Sequence, residues 1–143
     1  MNLSLATKVI VALAAQAVGT ASETGSTIDM QDYDGIMFIA QFGAVTDGSP
    51  SIKAQGGALA NGSDAADLAG TSTGAAASNK ACVLDIYRPT QRYITPVVTR
   101  GGSTGAVVDG VIAILYGART KPTALDSSVS ALETWISPVT GTA

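Results

Sequence analysis

Histidine is absent from the 143 residues, and cysteine occurs once, at Cys82. Those two gaps remove most side-chain chemistry. A Cys/His zinc site lacks its ligands. A serine or cysteine nucleophile lacks the imidazole that usually activates it. Only a Ser–Lys arrangement survives, and Lys8, Lys53, Lys80 and Lys121 stand in no recognisable motif. Cys82 lies in an apolar run and reads as a small buried hydrophobe; alone it forms no intrachain disulfide, so redox does not set the compartment. Charge is also scarce, at 13% of residues against about 25% in an ordinary soluble domain. Such a surface suits a protein largely covered by neighbours better than a freely diffusing monomer. The net charge of −3 argues against a general nucleic-acid binder, which needs a basic footprint. All four arginines fall between Arg88 and Arg119, and this local patch suits pairing between subunits with the nine aspartates better than nucleic acid.

The length is that of one domain, large enough to bury roughly 68–70% of its unfolded surface without a metal or disulfide. Most of what remains reads as strands. Val83 to Tyr87, Tyr93 to Thr99 and Ala106 to Tyr116 are β-branched and aromatic runs separated by Arg88-Pro89-Thr90-Gln91 and by Gly101-Gly102-Ser103-Thr104-Gly105. Their spacing predicts a three-stranded meander. Pro96 interrupts the second run, which predicts an edge or bulged strand.

Upstream, Lys8 and the apolar stretch Val9–Ala15, followed by Ala15-Gln16-Ala17, are similar to a short secretory signal. The stretch is too short to span a bilayer, and its β-branched residues favour an N-terminal strand or arm. Ser26–Gln31 predicts a short strand with Ile28 and Met30 facing one way, and Asp32-Tyr33-Asp34-Gly35 a turn. Ile36–Phe42 is apolar on both faces and therefore needs cover on both sides, a neighbouring subunit being the economical one. Asp47-Gly48-Ser49-Pro50 is a turn, and Ser51–Gln55 another strand. Gly56 to Lys80 reads as a long surface loop, with one helical turn within Ala65–Ala69, of a kind that is functional or ordered by a partner. Gly117 to Ala143 has no sustained period, though Val129–Ile136 has the composition of a local strand. Its Leu132, Trp135 and Ile136 suggest an arm that docks on its own sheet or on a neighbour.

These spacings predict an all-β fold, a jelly-roll-like β-sandwich of about seven to eight short strands with extended N- and C-terminal arms. Residues 1–25 form the N-terminal strand or arm, 26–116 the sandwich with its loop at 56–80, and 117–143 the C-terminal arm. Asp29, Asp32 and Asp34, with Asp47 across the sheet, form the one carboxylate cluster; without calcium-loop spacing it reads as turn chemistry around Gly35. Gly56-Gly57 and Gly101-Gly102 lack the strand–loop–helix setting of phosphate loops. Arg92 is placed to pair with Asp85 or Asp109 on neighbouring strands. No catalytic, metal or cofactor site is expected, and the chain reads as a non-enzyme.

Several stretches carry a resemblance. They are Ile28-Asp-Met-Gln-Asp-Tyr-Asp-Gly35 before an apolar strand, Asp85-Ile-Tyr-Arg-Pro89, Arg92-Tyr93, and Val108-Asp-Gly-Val-Ile-Ala-Ile-Leu-Tyr116, with Ser137-Pro138 and Gly141-Thr142-Ala143 at the close. Over roughly residues 7 to 143 the chain resembles small virion proteins of tailed bacteriophages, the capsid decoration or cement proteins. These are turn-and-strand signatures, more specific to a family than to a role. The resemblance implies a β-sandwich made in the host cytoplasm that sits on the outer capsid surface and clamps neighbouring major capsid protein subunits. It implies a homo-oligomer, a trimer in preference to a dimer because capsomers meet at local threefold positions, with no cofactor, nucleic acid or membrane. Residues expected at interfaces are Tyr33, Phe38, Arg88, Arg92, Arg119 and Trp135. The alternatives are another virion component, such as a head fibre base, tail or adhesion module that binds a host receptor or glycan, and an exported bacterial β-sandwich.

Overall fold

Two-residue alternation decides which side chains meet. The computed structural model describes residues 2–135, 140 and 141; Met1, Ile136, Ser137, Pro138, Val139, Thr142 and Ala143 lie outside them. A single helical turn, α1 (Leu3–Ala6), precedes β1 (Lys8–Leu13), β2 (Gln16–Gly19), β3 (Glu23–Thr24), β4 (Ile28–Asp29), β5 (Gly35–Val45), β6 (Ser51–Gly57), β7 (Ala66–Asp67), β8 (Ala81–Tyr87), β9 (Tyr93–Thr99) and β10 (Ala106–Tyr116). The protein is an all-β sandwich of two antiparallel sheets. One has the order β1-β10-β5-β8, with β2 also on β10; the other has the order β3-β9-β6-β7, with β4 also on β9. Taking β1 with β2 and β3 with β4 as interrupted strands leaves eight positions, ordered 1-8-3-6 over 2-7-4-5.

Between the sheets lie Ile36, Phe38 and Phe42 of β5, Val111 and Leu115 of β10, Ile52 of β6, and Ile94 and Val98 of β9, all essentially inaccessible. Ile28 and Met30 are both in this core, on one face as expected. Residues 8–24, expected as a strand or an arm, supply β1, β2 and β3, the β-branched run Val9–Val11 lying within β1.

The predicted meander is wrong. The three strands between Ala81 and Tyr116 never pair with one another: β8 and β10 flank β5 in one sheet, while β9 lies in the other. The turn signals were read correctly, but Arg88–Arg92 and Arg100–Gly105 cross between sheets instead of closing hairpins. Pro96 does not mark an edge either. β9 is central, and Pro96 opposes Ala54 of β6. On its other side the proline carbonyl accepts from Gly25 N–H (2.9 Å), at the gap between β3 and β4. The missing proline N–H therefore faces the one place where the neighbouring strand is interrupted.

The segment 56–80 is not a free loop, and Ala65–Ala69 makes no helical turn; Ala66–Asp67 is the short strand β7. The chain then follows the outer edge of β6. Thr73 N–H donates to the Ile52 carbonyl (2.9 Å) and Leu68 N–H to that of Ala54 (3.0 Å). The Thr71 and Thr73 hydroxyls accept from Ala54 and Ile52 N–H, both at 3.2 Å. A stretch of small polar residues thus does the work of an edge strand and closes β6 to outside pairing. The C-terminal arm does likewise for β1. Thr123 N–H reaches the Leu5 carbonyl, Asp126 pairs with Lys8 (3.0 Å), and Val11 N–H donates to the Ser128 hydroxyl (2.9 Å).

Candidate interaction surfaces

The outer faces of the two sheets differ in kind. On the β6–β9 sheet the outward positions are mainly polar: Lys53, Gln55 and Thr95, with the Ser51 and Thr99 hydroxyls 2.7 Å apart and Val97 opposite Lys53 as an apolar member. On the other sheet they are mainly apolar, with Gln41, Asp85 and Asp109 among them. Val11, Ile112, Ile39 and Val83 form one cross-strand row over β1, β10, β5 and β8. The adjacent row is Val9, Ile114, Met37 and Asp85. Val9, Val83 and Asp85 are exposed and the others half-buried. Next comes Tyr116, opposite Gly35, which in turn faces Tyr87. Gly35 is required there, because a Cβ would sit 2.2 Å from the Tyr116 ring. The ring lies across it, and the hydroxyl donates to Asp85 (2.7 Å). Burial and that bond to Asp85 push the Tyr116 phenol up to about 12. Asp85 is thus held by a neutral hydroxyl, and a second carboxylate, Asp109, stands further along the face beside Gly43 and Gln41.

β5 is apolar on its outer face as well as its inner one, but Phe38 is not on the outer face. It is fully buried between the sheets. In an apolar run the sequence offers no polar residue to fix the phase; the register with β10 and β8 points Met37 and Ile39 outward instead.

The other four interface candidates from the loops behave differently from one another. Tyr33, Arg88, Arg92 and Arg119 all line one concavity of about 560 Å³. Arg92 does not pair with Asp85 or Asp109, since β9 and those residues belong to different sheets. It makes a two-pronged bond to Asp29 (3.0 and 2.8 Å), from the paired strand β4. That guanidinium holds the Asp29 carboxyl below its usual range. Trp135, 74% exposed, stands apart, on an apolar groove of about 510 Å³ between the N-terminal turn and the C-terminal arm that also includes Leu3, Val9, Leu125 and Leu132.

The aspartates serve the backbone. Asp47 accepts from the Ser103 hydroxyl (2.6 Å) and from the N–H groups of Ser103, Thr104 and Gly105. These bonds, the Ser103 hydroxyl foremost, hold its carboxyl far below the usual range. Among the described residues no three His, Cys, Asp or Glu side chains group as metal ligands would. A carboxyl depressed by folding stabilises fully above its unfolded value near pH 4 and loses that contribution as pH falls. Asp47→Asn is therefore expected to lower the melting temperature at pH 7, with the gap to wild type narrowing towards about pH 2. Thermal melts at both pH values check this, and an unchanged gap would count against it.

Arg100 is the functional-looking residue that the sequence did not single out, and its role is structural. Its side chain is buried, and Nε donates to the Ala21 carbonyl (2.7 Å), Nη1 to those of Ala17 (2.7 Å) and Ala106 (3.3 Å), and Nη2 to Glu23 (2.5 Å). One guanidinium thereby ties the β2–β3 crossing to the β9–β10 crossing. Nothing in the local sequence distinguishes it from the three exposed arginines, because most of its acceptors, the Ala17 and Ala21 carbonyls and Glu23, lie distant along the chain. No protein-family model matches the chain, and no curated protein is similar to it.

Proposed function

We propose that this is a non-catalytic virion structural protein that decorates the outer capsid surface and cements neighbouring major capsid protein subunits. The observation that carries the reading is the contrast between the two sheets: one outer face is mainly polar, the other a mainly apolar field across four strands. Contiguous apolar surface of this kind marks an interaction site. The scarcity of charge, the lack of histidine and the turn-and-strand resemblance point the same way. So does the jelly-roll-like strand order 1-8-3-6 over 2-7-4-5, an arrangement common in capsid domains. Clamping of this type acts through standard-sized contacts multiplied by symmetry, and a trimer suits a local threefold site.

Sedimentation with purified capsids lacking the protein tests the reading. The protein is expected to pellet with capsids at a fixed stoichiometry and to raise their thermal stability. A monomer that stays in the supernatant overturns it. The second reading, a virion module that binds a host glycan, draws support from the exposure of Trp135 and of Tyr87, 74% and 61%. Saturable glycan binding that Trp135→Ala abolishes, without capsid binding, would favour it.

A further inference from the structure

Three of the four arginines converge on the concavity described above, although Arg88 and Arg92 lie between β8 and β9 and Arg119 follows β10. The convergence is built by the backbone. Arg88 N–H donates to the Asp34 carbonyl (2.7 Å), Arg119 N–H to that of Asp32 (3.0 Å), and the Arg92 carbonyl accepts from Met30 N–H (2.8 Å). Each arginine is fixed, at its own residue, to the single turn 30–34.

Their charges are not equivalent. Arg92 is occupied by Asp29, whereas among the described residues neither Arg88 nor Arg119 has a carboxylate within 4.0 Å. Arg88 is also held at φ +52°, a region that glycine or asparagine adopts far more readily. An arginine kept there, stacked 5.1 Å from the Tyr87 ring centre, indicates that the position needs the side chain, and such strain collects at binding sites. Gln91 and Thr90 supply further polar groups, and one carboxylate, Asp34, also lines the concavity. A guanidinium fork matches a carboxylate in shape and charge. Two free guanidinium groups on a chain of net charge −3 are too few for a nucleic-acid track.

We propose that the Arg88–Arg119 groove is a receptor for an acidic side chain of a partner protein. The ligand class stands by itself; that the partner is a capsid shell subunit rests on the function proposed above.

The test uses the full chain and an acetylated, amidated tetraglutamate peptide, followed through the arginine Nε–H resonances by NMR. Arg88 and Arg119 are expected to shift and saturate in the millimolar range, Arg100 to stay still, and the response to weaken with salt. Arg119→Gln and the double variant R88Q/R119Q are expected to weaken binding at least fivefold (an order-of-magnitude figure for a charge-assisted contact). Absence of shifts overturns the proposal, as does tighter binding of inorganic phosphate or oligothymidylate. Arg119→Gln keeps the test sound should the strained position of Arg88 make its variant fold poorly. Capsids that bind the protein when the peptide does not would sink the groove and leave the cement reading standing; the reverse result would do the opposite.

Discussion

Replacing Arg100 by methionine is expected to lower the melting temperature by about 10 °C, corresponding to about 3 kcal/mol in a domain of this size. The loss does not come mainly from the ion pair. Glu23 is 30% exposed and can rehydrate once its partner is gone. The carbonyls of Ala17, Ala21 and Ala106 cannot all do so, and a buried acceptor left unpaired costs about 1–3 kcal/mol. Gly19 packs against the guanidinium so closely that a Cβ there would lie 3.1 Å from it, which leaves little room for water to replace the head group. The double variant E23Q/R100M separates the two contributions. If the uncompensated carboxylate were the problem, the double would recover most of the loss; it is expected to recover little. A melting temperature within about 2 °C of wild type for the single variant would remove Arg100 from its assigned role.

Phe38→Ala and Ile39→Ser, neighbours on β5, are expected to fail in different assays. Phe38 is wholly enclosed, and its truncation should cost about 4 kcal/mol in unfolding free energy. Ile39 points out of the opposite face and is only half-buried, so Ile39→Ser with Val83→Ser should change stability by less than about 1 kcal/mol. The outward pair should instead lower self-association or capsid attachment, read by sedimentation. Chemical denaturation measures the first effect directly. A stable Phe38→Ala, or an Ile39→Ser that unfolds, would mean the strand is turned over from the orientation described.

The sequence showed strands because alternation and turn chemistry are local. Ser51–Gln55, Tyr93–Thr99 and Ala106–Tyr116 could be marked from their own residues, and Asp32–Gly35 read as a turn from Asp and Gly alone. Pairing was not local. The Gly-rich stretch 101–105 is equally compatible with a hairpin and with a crossing between sheets; what decides is Arg100 and Asp47, whose partners lie distant in the chain. The same holds for Pro96, whose tolerance depends on the break between Thr24 and Ile28. The arginine groove was half legible: Tyr33 and its three arginines were named individually, but the convergence of the arginines depends on backbone bonds to the 30–34 turn. The phase of β5 was illegible for a simpler reason, since both faces are apolar and either could have been the inner one.

The β8 edge has a consequence for how copies of this protein grow together. The 68–76 segment occupies the outside of β6, the arm occupies β1, and β3, β4 and β7 are two residues long. Among the described residues, β8 is left as the long rim with no backbone bond reaching it from outside. A particle with one adhesive rim is monovalent in that direction: two copies meeting there extinguish each other, and no end remains to elongate. Nucleated polymerisation needs at least two such ends per unit. Edge-to-edge pairing at β8 therefore closes on a pair of copies instead of running on into a strand-by-strand stack.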